Sequence, residues 1–285
     1  MKLAALANAK VNLYLKVLDK RNDGLHNLDM VMQSVSLADK VEIDTDYSDG
    51  LKVVCDGENI ENNIAETAAL LYFSSAEMSV QNLLISIEKN IPVSAGLAGG
   101  SADAAAVLVL CNKIYKRFSG SQLIELGGKI GADVPFCMIG GLARVTGFGD
   151  KIVSLPVNTD YHLVLIKAAE KRSTGYMYSL LDNMDKHITA DADKLISLLT
   201  DNSEASCEYM QNDFALLWND ENSERIKADL ISCGAKAVSL SGSGPTFFGV
   251  FFDKLTAKAC CEKLKNKYAN VFLASPALCG IQIIE

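Results

Sequence analysis

Val11, Leu13, Leu15 and Val17 alternate with Asn12, Tyr14 and Lys16, the period of a half-buried strand. Lys10 and Asn12 therefore project from one face, opposite the apolar one. A polar turn over 19–24 follows, and residues 30–37, 40–43 and 51–55 are predicted as three further strands. Residues 62–76 carry a helical pattern, with Ile64, Ala68, Leu71 and Tyr72 on one face. The apolar run 83–87 predicts a buried strand, and the alanine-rich run from Ala102 to Leu110 starts a helix reaching about 117. A helix over 121–130 and a hairpin over 142–150 complete a first unit. The pattern restarts near Leu155-Pro156: a strand at 161–166, short helices at 173–181 and 191–199, and a long helix over 213–232. Strands at 236–240 and 246–252, a helix at 255–268 and a last strand at 280–284 follow. With the short helices as insertions, this order is βαββαβ, a ferredoxin-like arrangement. The expected class is α+β, with a mixed β/α domain at 1–155 and a ferredoxin-like domain at 156–285.

Composition narrows the function classes. A chain of 285 residues suits two domains of roughly 150 residues each. Apolar residues make up 49% of it, enough for sizeable cores, and the net charge of −8 argues against a nucleic-acid surface. That charge does not exclude a phosphate ligand, because local cations and backbone dipoles override a global field. The eight cysteines are scattered without C-x-x-C spacing, and the three histidines (26, 162 and 187) form no metal pair. Reduced thiols in a cytoplasmic protein are expected. The N-terminal apolar run is short, follows one lysine and passes at once into strand alternation, unlike a signal peptide. No apolar run approaches the ~18 residues of a membrane span.

Candidate chemistry concentrates in the stretch Ile91-Pro92-Val93-Ser94-Ala95-Gly96-Leu97-Ala98-Gly99-Gly100-Ser101-Ala102. Its glycines leave backbone N–H groups uncovered, and Ser101 is a good N-cap for the helix that follows. A helix N-terminus with free donors suits a phosphate. It is not a Walker loop, which ends in Gly-Lys-Ser/Thr. Asp133 lies just past a helix and two residues before Pro135, so a stiff turn holds it. Taken singly, each signal has an ordinary reading: a capped turn, a turn aspartate, a solvated strand lysine at position 10.

Three segments in order carry a resemblance. Pro92 to Ser101 resembles the Pro-x-x-x-Gly-Leu-x-x-Ser/Gly-Ser phosphate loop of the GHMP small-molecule kinases. Ala9-Lys10-Val11-Asn12-Leu13 and Leu240-Ser241-Gly242-Ser243-Gly244-Pro245-Thr246 resemble that family's other two motifs. Arg21-x-Asp23-Gly24-x-His26 and Gly131-Ala132-Asp133-Val134-Pro135-Phe136 resemble the branch that phosphorylates a hydroxyl of a cytidine-diphosphate-linked methylerythritol, in the non-mevalonate isoprenoid route.

The resemblance implies the two-domain GHMP kinase fold, ATP as phosphoryl donor, and magnesium with no side-chain ligand assigned. It implies Lys10 and Asp133 as the catalytic pair, with Asp133 taking the hydroxyl proton. Pro92, Gly96, Leu97, Ala98, Gly99, Gly100, Ser101 and Ala102 would cradle the ATP phosphates, with Asn62 and Lys89 near the adenine. Asn12, Leu25, His26, Thr174 and Tyr178 would hold the cytidyl substrate, with His26 reading the cytosine edge. Gly242, Ser243 and Gly244 would close the cleft. The partner is a small molecule, with no nucleic acid or membrane, in a monomer or weak homodimer. Two departures stand out: Leu25 replaces a tyrosine that sandwiches cytosine, and Asn8 replaces a proline, which is expected to loosen the approach to Lys10. A kinase for another small alcohol and a non-catalytic nucleotide-binding relative are the alternatives.

Overall fold

Two long antiparallel strands, β1 (Lys2–Lys20) and β2 (His26–Asp44), run through the centre of the molecule. The computed structural model describes residues 1–284 other than 57, 60–62, 157–159, 185–186 and 202. The two strands expected at 30–37 and 40–43 are one. Just before the expected break a bulge at Ser36 and Leu37 shifts the register from Asn8↔Ala38 to Ala9↔Val35, and the strand continues regularly through Ala38 and Asp39. The first sheet is completed by β3 (Leu51–Cys55), β4 (Glu58–Asn59), β5 (Leu83–Glu88), β6 (Leu142–Gly147), β7 (Lys151–Leu155) and β12 (Ile281–Ile284). Because β2 is long, β5 pairs along its second half and β6 along its first.

Helices α1 (Ile64–Ser75), α2 (Gly99–Tyr115), α3 (Gly120–Ile130) and α4 (Val134–Ile139) accompany this sheet. From Ala102 to Leu108 every residue of α2 is buried. A helix apolar all round belongs in the core, and its alanines let it pack beside α1 and β1.

The second sheet is four-stranded, in the order β11-β8-β10-β9, built from β8 (His162–Lys167), β9 (Ala237–Leu240), β10 (Thr246–Phe251) and β11 (Val271–Ala274). Helices α5 (Thr174–Leu181), α6 (Ala192–Thr200), α7 (Glu221–Ser232) and α8 (Lys254–Lys265) complete the expected βαββαβ unit. Its strands alternate: Val164, Ile166 and Phe247 join one core with Leu15 and Met30, whereas Leu163, Leu165 and Phe248 join another with Val11 and Leu13. The two sheets thus share cores with β1 between them.

Two expectations are corrected. Residues 213–232 are not one helix: Asp213–Leu217 is a 3-10 turn, and α7 starts at Glu221 with Asp220 as its N-cap, the side chain accepting from the Ser223 N–H. Asn212 caps the start of the 3-10 turn and the buried Asp213 carboxylate accepts from the Val17 and Ile188 N–H groups, so side chains anchor the turn separately from α7. The second correction concerns the last strand. The ferredoxin-like sheet ends with β11, which the pattern reading missed, and β12 returns to the first sheet to pair with β1, Ala4↔Ile284 to Ala7↔Ile281.

Asn8 fastens that return. Its backbone N–H donates to the Gly280 carbonyl at 2.8 Å, and its side-chain amide donates to the Cys279 carbonyl at 2.8 Å. A proline here would have no N–H to give, so the departure at position 8 tightens this junction rather than loosening it. Asn8→Ala is expected to cost about 1–2 kcal/mol through the lost bond and the carbonyl left without it. Urea unfolding checks this, and an unchanged midpoint would refute it.

Candidate active site

Gly99 and Gly100 open α2, one turn earlier than the sequence suggested, so Ser101 is inside the first turn and is not the N-cap. The N-cap is Ala98, in the left-handed region at φ +59°, with no side-chain capping bond. The first helical donor found on the loop is the Ala102 N–H, bonded to the Ala98 carbonyl. The N–H groups of Gly99, Gly100 and Ser101 are therefore left without helical partners, on residues that line a cavity of about 720 Å³. A left-handed residue followed by a helical one forms an anion-binding concavity.

Lys10 projects from β1 into the same cavity, only 4% exposed. Its Nζ donates to Asn12 Oδ1 at 2.8 Å and lies 3.7 Å from Asp133 Oδ2. Its backbone N–H donates to the Leu97 carbonyl at 3.1 Å, which ties the strand to the glycine loop. Asp133 holds the N-cap position of α4 but makes no capping bond, leaving its carboxylate free for the cavity.

The loop between β9 and β10 meets this pair from the second sheet. The Gly242 N–H donates to Asn12 Oδ1 at 2.9 Å and Ser241 Oγ donates to the Gly96 carbonyl at 2.9 Å. Asn212 Nδ2 holds the loop by donating to the Leu240 and Gly242 carbonyls, and Trp218 Nε1 donates to the Ser243 carbonyl. Thr174 Oγ1 lies 3.4 Å from Ser243 Oγ.

The far end is aromatic. The Tyr178 ring stacks on His26, with centroids 4.8 Å apart and planes 10° apart, and meets Phe214 edge-on at 5.0 Å. Burial, and secondarily the charge of Asp133, push the Tyr178 phenol up to about 12. Leu25 is half exposed and lines this end. His26 is buried, its Nε2 lies 2.6 Å from Asp182 Oδ1, and it does not line the cavity.

Most of the anticipated residues converge: Lys10, Asn12, Leu25, Lys89, Pro92, Gly96, Ala98, Gly99, Gly100, Ser101, Asp133, Thr174, Tyr178, Gly242 and Ser243 all line the cavity. Leu97 and Ala102 are core side chains that reach the site only through backbone, and Gly244 packs against Trp218 instead. Asn62 lies outside the described residues; its neighbour Asn63 caps α1 and lines the cavity. Phe148, Phe214 and Lys171 also line it and went unnoticed in the sequence. Only Lys171 had a signal, a cationic pair with Arg172 directly before the Ser173 helix cap.

Lys89 is held in a buried triad rather than standing free. Its Nζ contacts the carboxylates of Asp39 and Asp103, the latter at 2.7 Å. Asp39 also accepts from the Asn90 and Ile91 N–H groups at the loop entrance, so it is well satisfied. Asp103 has one buried oxygen without a partner. Burial, opposed by Lys89 and reinforced by Asp39, raises the Asp103 pKa above the usual carboxylate value. The native protein thus keeps a proton that the unfolded chain releases near pH ~4. This group's stabilisation is complete below that pH and is lost as pH rises through the higher native value. Asp103→Asn is expected to remove this loss, so the melting temperature of the wild type should fall relative to the variant between about pH 5 and 8. Parallel curves would refute it.

Among the described residues, no group of three or more His, Cys, Asp or Glu side chains is placed to hold a metal, and no helix is long and apolar enough to cross a membrane.

Comparison with known proteins identifies a family and a fold. The GHMP kinases N terminal domain profile matches residues 62–141, and the GHMP kinases C terminal profile matches 186–270. A 4-diphosphocytidyl-2-C-methyl-D-erythritol kinase of Clostridium botulinum (strain Eklund 17B / Type B) is 40% identical over 277 residues, covering 94% of this chain and 97% of its own. One from Clostridium kluyveri is 40% identical over 276 residues, with the same coverage. A crystal structure of 4-(cytidine 5'-diphospho)-2C-methyl-D-erythritol kinase superposes with a TM-score of 0.79 at 28% identity, covering 96% of this chain and 99% of that one. Homoserine kinase from Cytophaga hutchinsonii shares the fold, with a TM-score of 0.76 at 18% identity over 99% and 97% of the two chains. With profile matches in both halves and 40% identity along nearly its whole length, the chain belongs to the GHMP kinases, a family of ATP-dependent small-molecule kinases.

Proposed function

We propose that this chain transfers the γ-phosphoryl group of ATP to a hydroxyl of 4-diphosphocytidyl-2-C-methyl-D-erythritol, giving the 2-phosphate and ADP in isoprenoid precursor synthesis. The observation that carries the reading is one cavity joining a helix N-terminus, the Lys10–Asp133 pair and an aromatic base site. The names of the relatives supply the substrate.

Phosphoryl transfer rests on positioning and on neutralising charge in a loose transition state. In this reading the free N–H groups of Gly99, Gly100 and Ser101 hold the ATP phosphates. Asp133 accepts the proton of the attacking hydroxyl, and Lys10, fixed by Asn12, faces the transferred group. Magnesium bound with the nucleotide would neutralise charge on the phosphates, with phosphate oxygens and water as most of its ligands. The oxygen of Ser101, on the cavity wall beside the helix N-terminus, would suit such a hard cation. Tyr178 takes one face of the cytosine, and Leu25 covers the other by apolar contact.

The test is ADP release with magnesium-ATP and this substrate. Turnover with the methylerythritol compound, and none with homoserine or mevalonate, is the expected result. Turnover of a different alcohol alone would favour the second reading, for which Leu25 is the specific observation. Leu25→Tyr is expected to lower the KM for the cytidyl substrate about fivefold to tenfold, the low end of base–aromatic stacking because leucine already covers part of the base. An unchanged or higher KM would remove Leu25 from the base site.

A further inference from the structure

Lys171 lies between β8 and α5, two residues ahead of the Ser173 cap, and lines the cavity with Lys10, Asp133, Thr174 and Tyr178. The other two cavity lysines are engaged: Lys10 by Asn12 and Asp133, Lys89 by Asp39 and Asp103. Arg172, its neighbour, stacks over Trp218 and donates to the Leu217 carbonyl. Among the described residues Lys171 has neither a hydrogen bond nor an ion pair.

The residue as a whole is exposed, yet its ammonium is not in the surroundings of an ordinary surface lysine. Burial of that end and the charge of Lys10 lower its pKa, against a smaller opposing pull from Asp133. A cation held near a second cation, with a single carboxylate to share, is a site prepared for an anion.

The substrate chemistry says which anion. On the reading above, the base lies at Tyr178 and Leu25 while the acceptor hydroxyl lies at Asp133. The diphosphate that links them must cross the gap between. Lys171 lines this same cavity, as Thr174 and Tyr178 do, and is within electrostatic reach of Lys10 and Asp133. We propose that Lys171 binds the diphosphate of the acceptor, and so selects a nucleoside-diphosphate-linked alcohol over a free one. The competing anion is the terminal phosphate of ATP, and the test separates the two.

Calorimetric titrations of wild type, Lys171→Gln and Lys171→Arg with CDP, cytidine and a non-hydrolysable ATP analogue decide the matter without requiring turnover. Wild type should bind CDP at least about tenfold more tightly than cytidine. Lys171→Gln should weaken CDP binding about 10- to 100-fold, the scale of one charge-assisted hydrogen bond. Cytidine and the ATP analogue should be unaffected, and Lys171→Arg should recover most of the loss. CDP affinity in Lys171→Gln within twofold of wild type overturns the proposal, as does a loss that falls on the ATP analogue. If cytidine fails to bind the wild type at all, the reading of the base site falls and this inference with it. Cytidine binding with an unchanged CDP affinity removes only the role of Lys171.

Discussion

Asp133→Asn is expected to lower kcat by about 10²- to 10⁴-fold while leaving ATP affinity within twofold, the loss typical of removing a positioned general base. Asparagine keeps the shape and the N-cap position, and the aspartate makes no capping bond that the change could break. The fold is therefore preserved and the effect is chemical. Asparagine cannot take the hydroxyl proton, and among the described residues it removes the one carboxylate paired with Lys10 Nζ, at 3.7 Å. Steady-state kinetics with ATP and the cytidyl substrate, beside direct ATP titration, read the two quantities separately. A variant with kcat within threefold of wild type would exclude Asp133 as the base. A variant that lost ATP binding instead would move Asp133 to the donor side of the cavity.

Gly96→Ala is the second large effect, and its cause is geometric. Gly96 has φ +79°, and an added Cβ would stand 2.6 Å from the Ser241 carbonyl oxygen and 2.7 Å from that of Gly244. Both are backbone atoms that cannot turn aside. A left-handed alanine costs about 1–2 kcal/mol, and the forced displacement adds about 1–3 kcal/mol of overpacking. The displacement also lands where the two sheets join, since Ser241 Oγ bonds the Gly96 carbonyl and Gly242 N–H bonds Asn12. Lys10 shares that asparagine, so the disturbance reaches the reacting groups. The expected outcome is a destabilisation of about 2–5 kcal/mol in urea, with kcat reduced at least about tenfold in whatever protein remains folded. Wild-type stability and turnover would show that the two loops do not press on each other in solution.

How much of this was legible in the sequence depended on the range of the interaction involved. The alternation around Lys10 gave its face because a strand's period is local, and the glycine loop announced a helix start because free donors are a local property of the backbone. The exact start of α2 was misplaced because Ser101 looks like a cap, while the cap is Ala98, which is left-handed, and the helix starts at Gly99, whose missing side chain lets the first turn sit close to Ile91. The break before α7 was readable in retrospect from Asp220 and Ser223, but the buried Asp213 that enforces it answers to Val17, nearly two hundred residues away. His26 was expected at the base edge; its stacking on Tyr178 and its contact with Asp182 join the start of β2 to the distant α5, and no local pattern encodes them. Lys89 shows the same limit, because its partners Asp39 and Asp103 are meaningful only once β2, β5 and α2 are assembled.

The pairing of β12 with β1 has a consequence for biosynthesis. Their partners lie about 275 positions apart, so a ribosome working at about 5–20 residues per second completes β12 roughly 15–55 s after β1. Until then the outer edge of β1, the strand that carries Lys10, presents unpaired backbone groups at Ala4 to Ala7 to any passing strand. The strand that carries Lys10 is thus made about 275 positions before the strand that seals it, and its edge stays open for that whole interval of synthesis.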